Sequence, residues 1–488
     1  MSRVVAPAPG RTPAHAVCLA TVLVAPLAAL LPAPLTAPLG AQPPSAVPAP
    51  APPTPRTGAA VAAPSIPKTP AGDVLRTWLD AFNSGDSARV AAYARQFEPA
   101  LDANGELRFR HQTGGFDLLT VERSEPRHLE FTVRERKSPM TGYGVLDVSV
   151  AEPPRVTARD IRAMGPNRTA AAVRIDAAAR ARAVTGAAAL LDTFYVLPNA
   201  ARRMRDSLRA RLARGAYDEY ANGVTLAMRL TDDLAEIAHD KHLHVMYSPR
   251  PLPPEPPRPA NGTLPGGAPP ARSPADVARE RAWLDGVNCG VVKAEQLPGN
   301  VGYLRFDLFA DVDLCAETAS AAMTFVASTR ALIVDLRENG GGTPGMVAYV
   351  SSYLFDRRTH LNDLYTRSTG ETRAFWTRDS VPGRRFGGAK PVYVLTSART
   401  FSGAEEFAYN LQALKRATLV GEVTGGGAHP VRERRIDDHF LIGVPYARAV
   451  NPVTGTNWEG TGVQPDVRVP AGEVLARAQR LLRETTRP

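Results

Sequence analysis

Residues Ala398 to Phe407 read A-R-T-F-S-G-A-E-E-F, and what flanks them decides the fold. Just before lies Pro391-Val-Tyr-Val-Leu-Thr-Ser397, a short apolar, β-branched run bounded by Pro and Ser, which spells a buried strand. Just after, Ala404, Phe407, Ala408 and Leu411 recur at helical spacing on the way to Leu414. Ser402 therefore falls where a strand turns into a helix. At such a turn a hydroxyl stands clear of the sheet and the N–H of Gly403 is free to face an oxyanion, which makes Ser402 a candidate nucleophile. Serine is also a common N-cap, and this stretch alone leaves both roles open.

The same alternation extends in both directions. Val301 to Phe306 reads as a strand, Cys315 to Ser328 as a helix, and Ala331-Leu-Ile-Val-Asp-Leu336 as a second buried strand. Glu338-Asn-Gly-Gly-Gly342 follows, then a helical segment from Gly345 to Phe355 and, after the Ser402 turn, the strand-like Thr418-Leu-Val-Gly421. This order predicts an α/β core with a mostly parallel sheet over residues 274 to 488, with its sites at the C-terminal ends of strands. Upstream, residues 166 to 248 are rich in Ala, Arg and Leu with helical periodicity and predict three or four packed helices. Residues 71 to 165 open with two amphipathic helices and continue with three alternating runs, at Phe116 to Val121, His128 to Arg134 and Tyr143 to Val150, a small α+β unit.

Composition bounds the rest. The 488 residues carry a net charge of +10, mostly from Arg scattered through helical segments such as Arg202, Arg205 and Arg209. That pattern is a basic solvated face without interleaved aromatics, so nucleic acid is not expected as a partner. Arg3 and Arg11 precede an apolar run from Ala16 to Leu31, with small residues up to Ala41, so residues 1 to 41 read as a signal peptide. Export to the periplasm or the extracellular space follows, with no membrane contact once the leader is cleaved. Cleavage would remove Cys18 and leave Cys289 and Cys315, which are able to pair in an oxidising compartment. Residues 42 to 70 and 249 to 273 are Pro-rich linkers.

Three turns follow strands in the core: Gly340-Gly341-Gly342, Ser402-Gly403 and Gly425-Gly426-Gly427. A triple glycine lets backbone N–H groups approach a ligand, although neither turn has the spacing or the lysine of a phosphate loop. A serine nucleophile needs a base, and His239, His242, His244 and His429 are the candidates. His239, His242 and His244, with Glu236 nearby, also fit a zinc-ligand set, although no regular element puts all three imidazoles on one side.

Four motifs occur in order: Asp335-Leu-Arg-Glu-Asn-Gly-Gly-Gly342, Thr396-Ser-x-x-Thr-Phe-Ser-Gly-Ala-Glu405, Gly421-Glu-x-Thr-Gly-Gly-Gly-Ala-His-Pro430 and Glu459-Gly-Thr-Gly-Val-Gln-Pro-Asp466. Together they resemble the S41 peptidases, which include the tail-specific C-terminal processing proteases, tricorn protease and the interphotoreceptor retinoid-binding protein repeats. The resemblance covers roughly residues 170 to 470 and implies a ClpP/crotonase-like core behind a helical subdomain. The opening W-L-x-A-F-N-S-G-D around Trp78 resembles NTF2-like cone domains.

Carried over position by position, the resemblance makes Ser402 the nucleophile. The processing branch takes a lysine base about 25 residues further on, but that place falls near Gly427 and holds no lysine. The tricorn-like branch takes a histidine and a glutamate instead, and His242 and Glu459 stand in those places. Lys241 occupies the position of a serine in that branch, and residues 249 to 273 are too short for a PDZ domain. The implied oxyanion donors are Gly403 with Gly340 or Gly341. The expectation is an exported serine peptidase acting on polypeptides through an acyl-enzyme, needing neither metal nor organic cofactor, with oligomeric state left open. His429 is the alternative base. The rivals are a module that binds hydrophobic ligands on the same fold and zinc-dependent hydrolysis through the histidine cluster.

Overall fold

The computed structural model describes residues 64–99, 101, 103–253 and 273–485. The expected signal peptide and most of both Pro-rich linkers lie outside the described residues. The chain divides into two compact units, up to Ala172 and from Val173.

In the first unit, helices Pro70–Ser84, Ser87–Phe97 and Ala103–Thr113 precede four antiparallel strands, Phe116–Ser124, His128–Glu135, Met140–Val148 and Val156–Pro166, paired in chain order. The first helix starts where the Thr69 side chain accepts the Gly72 N–H, and it stops at Gly85, whose φ of 69° is left-handed. Its apolar face brings Trp78 and Phe82 onto Phe116, the last two with ring centroids 5.2 Å apart. Sequence periodicity misses the third helix and the fourth strand. The helix buries only Glu106 and Thr113, so it has no apolar stripe to see. The strand V-T-A-R-D-I-R-A-M-G-P is mostly half-buried, which blurs its alternation.

In the second unit, helices Ala177–Phe194, Pro198–Ala213 and Gly223–Ala238 pack around Val184, Leu191, Met204, Leu208 and Leu230. Phe440, Ile442 and Val444 belong to the same core. They come from strand Phe440–Pro445, which lies between Val431–Arg435 and His244–Tyr247 in an antiparallel sheet. A hairpin from the distant C-terminal half thus closes the helical layer and fixes the chain around His242.

The central sheet has six strands, in the order Val467–Arg468, Thr418–Gly421, Val392–Thr396, Ala331–Asp335, Val301–Phe306 and Val291–Leu297. Every neighbouring pair is parallel except the last. Ala331–Asp335 and Val392–Thr396 are buried at every residue, which is why both read as unbroken apolar runs. One face is covered by Val312–Val326, Pro344–Ser351 and Gly403–Ala413, and Val474–Thr485 packs on Tyr393, Leu395 and Val420. This is the α/β core with helices ahead of it, and the α+β N-terminal unit, that the sequence predicts. A disulfide joins Cys289 to Cys315 with the Cα atoms 5.6 Å apart. Among the described residues no helix is long and apolar enough to cross a membrane.

Candidate active site

Ser402 lies just beyond the C-terminal end of Val392–Thr396, at the strand-to-helix turn that its sequence predicts, but its backbone is unusual. Its φ of 53° and ψ of −119° place a side-chain-bearing residue where glycine is normally needed, at a cost of about 1–3 kcal/mol. The surroundings hold it there. The Thr400 hydroxyl donates to the Leu336 carbonyl at 2.8 Å, the Phe401 N–H donates to the Asn339 carbonyl at 3.0 Å, and the Ser402 N–H donates to Glu405 Oε2 at 2.8 Å.

The Gly340–Gly342 turn lies directly against this elbow. A Cβ on Gly341, whose φ is 118°, would stand 2.8 Å from Ser402 Cβ, so only glycine fits. The Gly341 N–H donates to Asn339 Oδ1 at 2.8 Å, which leaves Gly340 as the free donor of the pair. Gly403 is the first residue of its helix, so its N–H has no intrahelical acceptor. The third glycine turn behaves differently from the sequence expectation. Gly425 donates to the Thr400 carbonyl at 2.9 Å, and Gly426 and Gly427 donate to Glu405 at 2.6 and 2.9 Å. Its N–H groups are spent on a backbone carbonyl and a buried carboxylate and do not face a ligand. Burial pushes Glu405 up to about 7 against the pull of these donors and of the Thr424 hydroxyl.

His242 follows the helix Gly223–Ala238, which ends at His239 in a left-handed cap with φ 54°. The ring is 8 % exposed and packs on Phe401, the residue before the nucleophile, with centroids 4.7 Å apart. A Cβ on Gly427 would stand 2.6 Å from His242 Cε1, so that glycine makes room for the imidazole. Burial lowers the His242 pKa to about 4, against the pull of Asp240, and the ring is neutral at neutral pH. Its Nδ1 is buried without a partner. His242 and the Ser402 hydroxyl are not hydrogen-bonded to each other in this structure, as is common before substrate binds.

Glu459 does not reach His242. Its Oε2 accepts the Ala428 N–H at 2.5 Å and lies 3.5 Å from His429 Nδ1, while its Oε1 is buried and unpartnered. His429 Nδ1 is in turn 3.0 Å from Asp240 Oδ2, which also accepts the Tyr195 hydroxyl at 3.1 Å. Asp240 Oδ1 accepts the His242 N–H at 3.0 Å. Burial raises Glu459 to about 7, helped by the charge of Asp240. For Asp240 burial acts the same way, but the hydrogen bond and charge of His429 outweigh it and hold the carboxylate below its usual range. The Lys241 ammonium turns away to the Gly425 carbonyl at 2.6 Å.

The histidines proposed as a zinc set do not converge. His239 caps a helix, His244 Nδ1 bonds the His242 carbonyl at 2.8 Å, and Glu236 pairs with Arg211. Among the described residues, Asp240, His429 and Glu459 are the ones that come together, with ligand atoms within 4.8 Å of one another, and the 3.0 Å contact of Asp240 with His429 is short enough to share a proton. Sequence reasoning missed Asp240 and Glu405. For Asp240 the available signal was an acidic residue two before the candidate base in D-K-H-L.

Residues 300–469 match the family model described as peptidase family S41, and residues 169–280 match the N-terminal domain of Peptidase_S41 in eukaryotic IRBP. Among curated proteins, the chloroplastic C-terminal processing peptidase of Tetradesmus obliquus is 28% identical over 215 residues, covering 42% of this chain and 44% of that protein. The tricorn protease of Thermoplasma volcanium is 30% identical over 191 residues, covering 39% of this chain and 17% of that protein. Among solved structures, the photosystem II D1 C-terminal processing protease is similar over 38% of this chain and 50% of its own, with 26% identity and a TM-score of 0.31. The chain spans less than half the length of the curated relatives it matches.

Proposed function

The chain belongs to peptidase family S41 over residues 169–280 and 300–469, and from that premise we propose that it is an exported serine peptidase acting on polypeptides. Ser402 attacks a peptide carbonyl and forms an acyl-enzyme, which water then hydrolyses. His242 takes the serine proton and returns it to the leaving amine, for which a neutral imidazole is suited. The N–H groups of Gly403 and Gly340 hold the oxyanion, and Glu459 supports the base from beside His429. Export rests on the apolar leader at residues 16 to 31 and is supported by the Cys289–Cys315 disulfide, which persists in oxidising compartments.

The observation that carries this reading is the strained Ser402 elbow, packed against Gly341 on one side and presenting Phe401 to the His242 ring on the other. A serine used only as a helix cap has no need of that conformation. The test is covalent labelling of folded protein by a fluorophosphonate, with Ser402→Ala as control. Labelling confined to Ser402, together with hydrolysis of an unfolded polypeptide that is lost in the variant, is the expected result. Folded wild-type protein that stays unlabelled would sink the peptidase and leave the hydrophobic-ligand module.

A further inference from the structure

Glu459 and His242 belong to one proposed machinery, yet no contact joins them. What lies between is a continuous chain of buried groups. Glu459 Oε2 faces His429 Nδ1 at 3.5 Å, that nitrogen is 3.0 Å from Asp240 Oδ2, and Asp240 Oδ1 receives the His242 N–H at 3.0 Å. The same Oδ1 is 3.9 Å from His242 Nδ1, the ring nitrogen left without a partner. We propose that Asp240 is the carboxylate that positions His242 during catalysis, that His429 is the positioning residue that holds Asp240 in place, and that Glu459 influences the base only through them. The proposal rests on the peptidase reading of Ser402.

The geometry argues for each part. For His242 Nε2 to take the proton of Ser402, the neutral ring must carry its own proton on Nδ1, and the carboxylate oxygen facing that nitrogen is Asp240 Oδ1. At 3.9 Å this is a contact waiting to shorten. A small rotation of the ring on Phe401 brings Nδ1–H into hydrogen-bond range, and the gain is greatest once the ring is an imidazolium. An interaction that strengthens as charge develops lowers the barrier without tightening the ground state.

Asp240 is itself 2 % exposed, and a carboxylate there stays charged only if its oxygens are satisfied. The groups that face it are the Tyr195 hydroxyl from the loop after Ala177–Phe194, the His429 imidazole from the segment after Thr418–Gly421, Glu459 behind His429, and the backbone N–H of His242. Lys241, next to it in sequence, points to the Gly425 carbonyl and supplies no counter-charge. His429 Nδ1–H is therefore the group that both holds Asp240 Oδ2 and links it to Glu459.

The experiment uses the full chain, with Ser402 acylation by a fluorophosphonate and steady-state peptide hydrolysis as readouts. Asp240→Asn should lower kcat by about 10²–10⁴-fold, the range seen when such a carboxylate is made an amide, with KM changed by less than about twofold. His429→Phe should also lower kcat, by less than Asp240→Asn does, while His429→Gln, which keeps a donor, should recover part of it. Glu459→Gln should slow the wild type but have no further effect in the His429→Phe background, because the route between them is gone. Three results would overturn the proposal: an Asp240→Asn variant that acylates within threefold of wild type, a loss confined to KM, or an undiminished Glu459→Gln effect in the His429→Phe background. If Asp240→Asn does not fold, the His429 and Glu459 cycle still decides. Wild-type protein unlabelled at Ser402 overturns the parent reading instead, so the two failures are distinct.

Discussion

Both units bury charge, but they complete it differently. In the N-terminal unit Arg159 bonds Glu98 at 3.0 Å and Glu106 at 3.2 Å, its guanidinium lies 4.9 Å above the Trp78 ring, and Trp78 Nε1 donates to Glu106 at 2.5 Å. His128 stands between Asp147 at 2.7 Å and Glu130 at 3.1 Å. Each donor there meets an acceptor. Around Ser402 the cluster is equally buried, yet His242 Nδ1 and Glu459 Oε1 have no partner. Leaving such an atom unpaired costs about 1–3 kcal/mol unless a partner from outside the chain completes it. The first network is complete within the chain, whereas the one around Ser402 keeps a ring nitrogen and a carboxylate oxygen available.

The largest expected effect that would break this contrast is on acylation. His242→Ala should slow Ser402 labelling by about 10³-fold or more, and His429→Ala by clearly less, because only the first removes the proton acceptor. Equal rates in His242→Ala and wild type would move the base to His429. In the closed network the loss should be of stability. Arg159→Met leaves the Glu98 and Glu106 carboxylates without their shared counter-charge and should cost about 3–5 kcal/mol in denaturant unfolding of the N-terminal unit. A cost below 1 kcal/mol would mean that this network is not what holds the unit.

The two histidines should also respond to pH in opposite senses. His128 is raised to about 9 by its hydrogen bonds to Asp147 and Glu130, so its folded state holds a proton that the unfolded state releases. Its stabilisation is fully present below about pH 6.5 and is lost as pH rises through 9. His242 is lowered to about 4 by burial, so its own contribution to stability should fall as pH drops from about 6.5 toward 4, while Glu405, Glu406 and Glu459, raised to about 7, contribute in the opposite sense over the same window. Thermal melts across pH 4–10 of wild type against His128→Gln and His242→Gln isolate each ring, and difference curves that trend the same way for both would remove the distinction. The smallest effect concerns the elbow. Ser402→Gly should raise Tm by a few degrees, since glycine adopts φ 53° freely, while abolishing labelling. A lower Tm would show that the serine side chain stabilises the turn.

Much of the fold was legible because its signals are local. The runs at 331–335 and 392–396 are buried on both faces, so they needed no partner to be recognised as strands. Gly341 was legible as part of a triple glycine after a strand and Gly403 as the residue after a serine at a strand-to-helix turn, while the close approach that excludes a larger residue at both appears only in the structure. Val156–Pro166 was not, because its residues are half-buried and its pattern is carried by the strand beside it. The triple glycine at 425–427 looked like its counterpart at 340–342, and only the presence of Glu405 beneath it assigns its N–H groups.

The sequence by itself determined the strand–serine–helix turn, the parallel α/β core and the short roster of imidazoles and carboxylates available for chemistry. Which of these meet was decided by tertiary structure. Asp240 and His429 lie 189 residues apart and share one hydrogen bond because the hairpin Val431–Pro445 closes against His244–Tyr247 and the helices. Periodicity reports which face of an element is buried; it holds no information on which buried charge another element will bring against it.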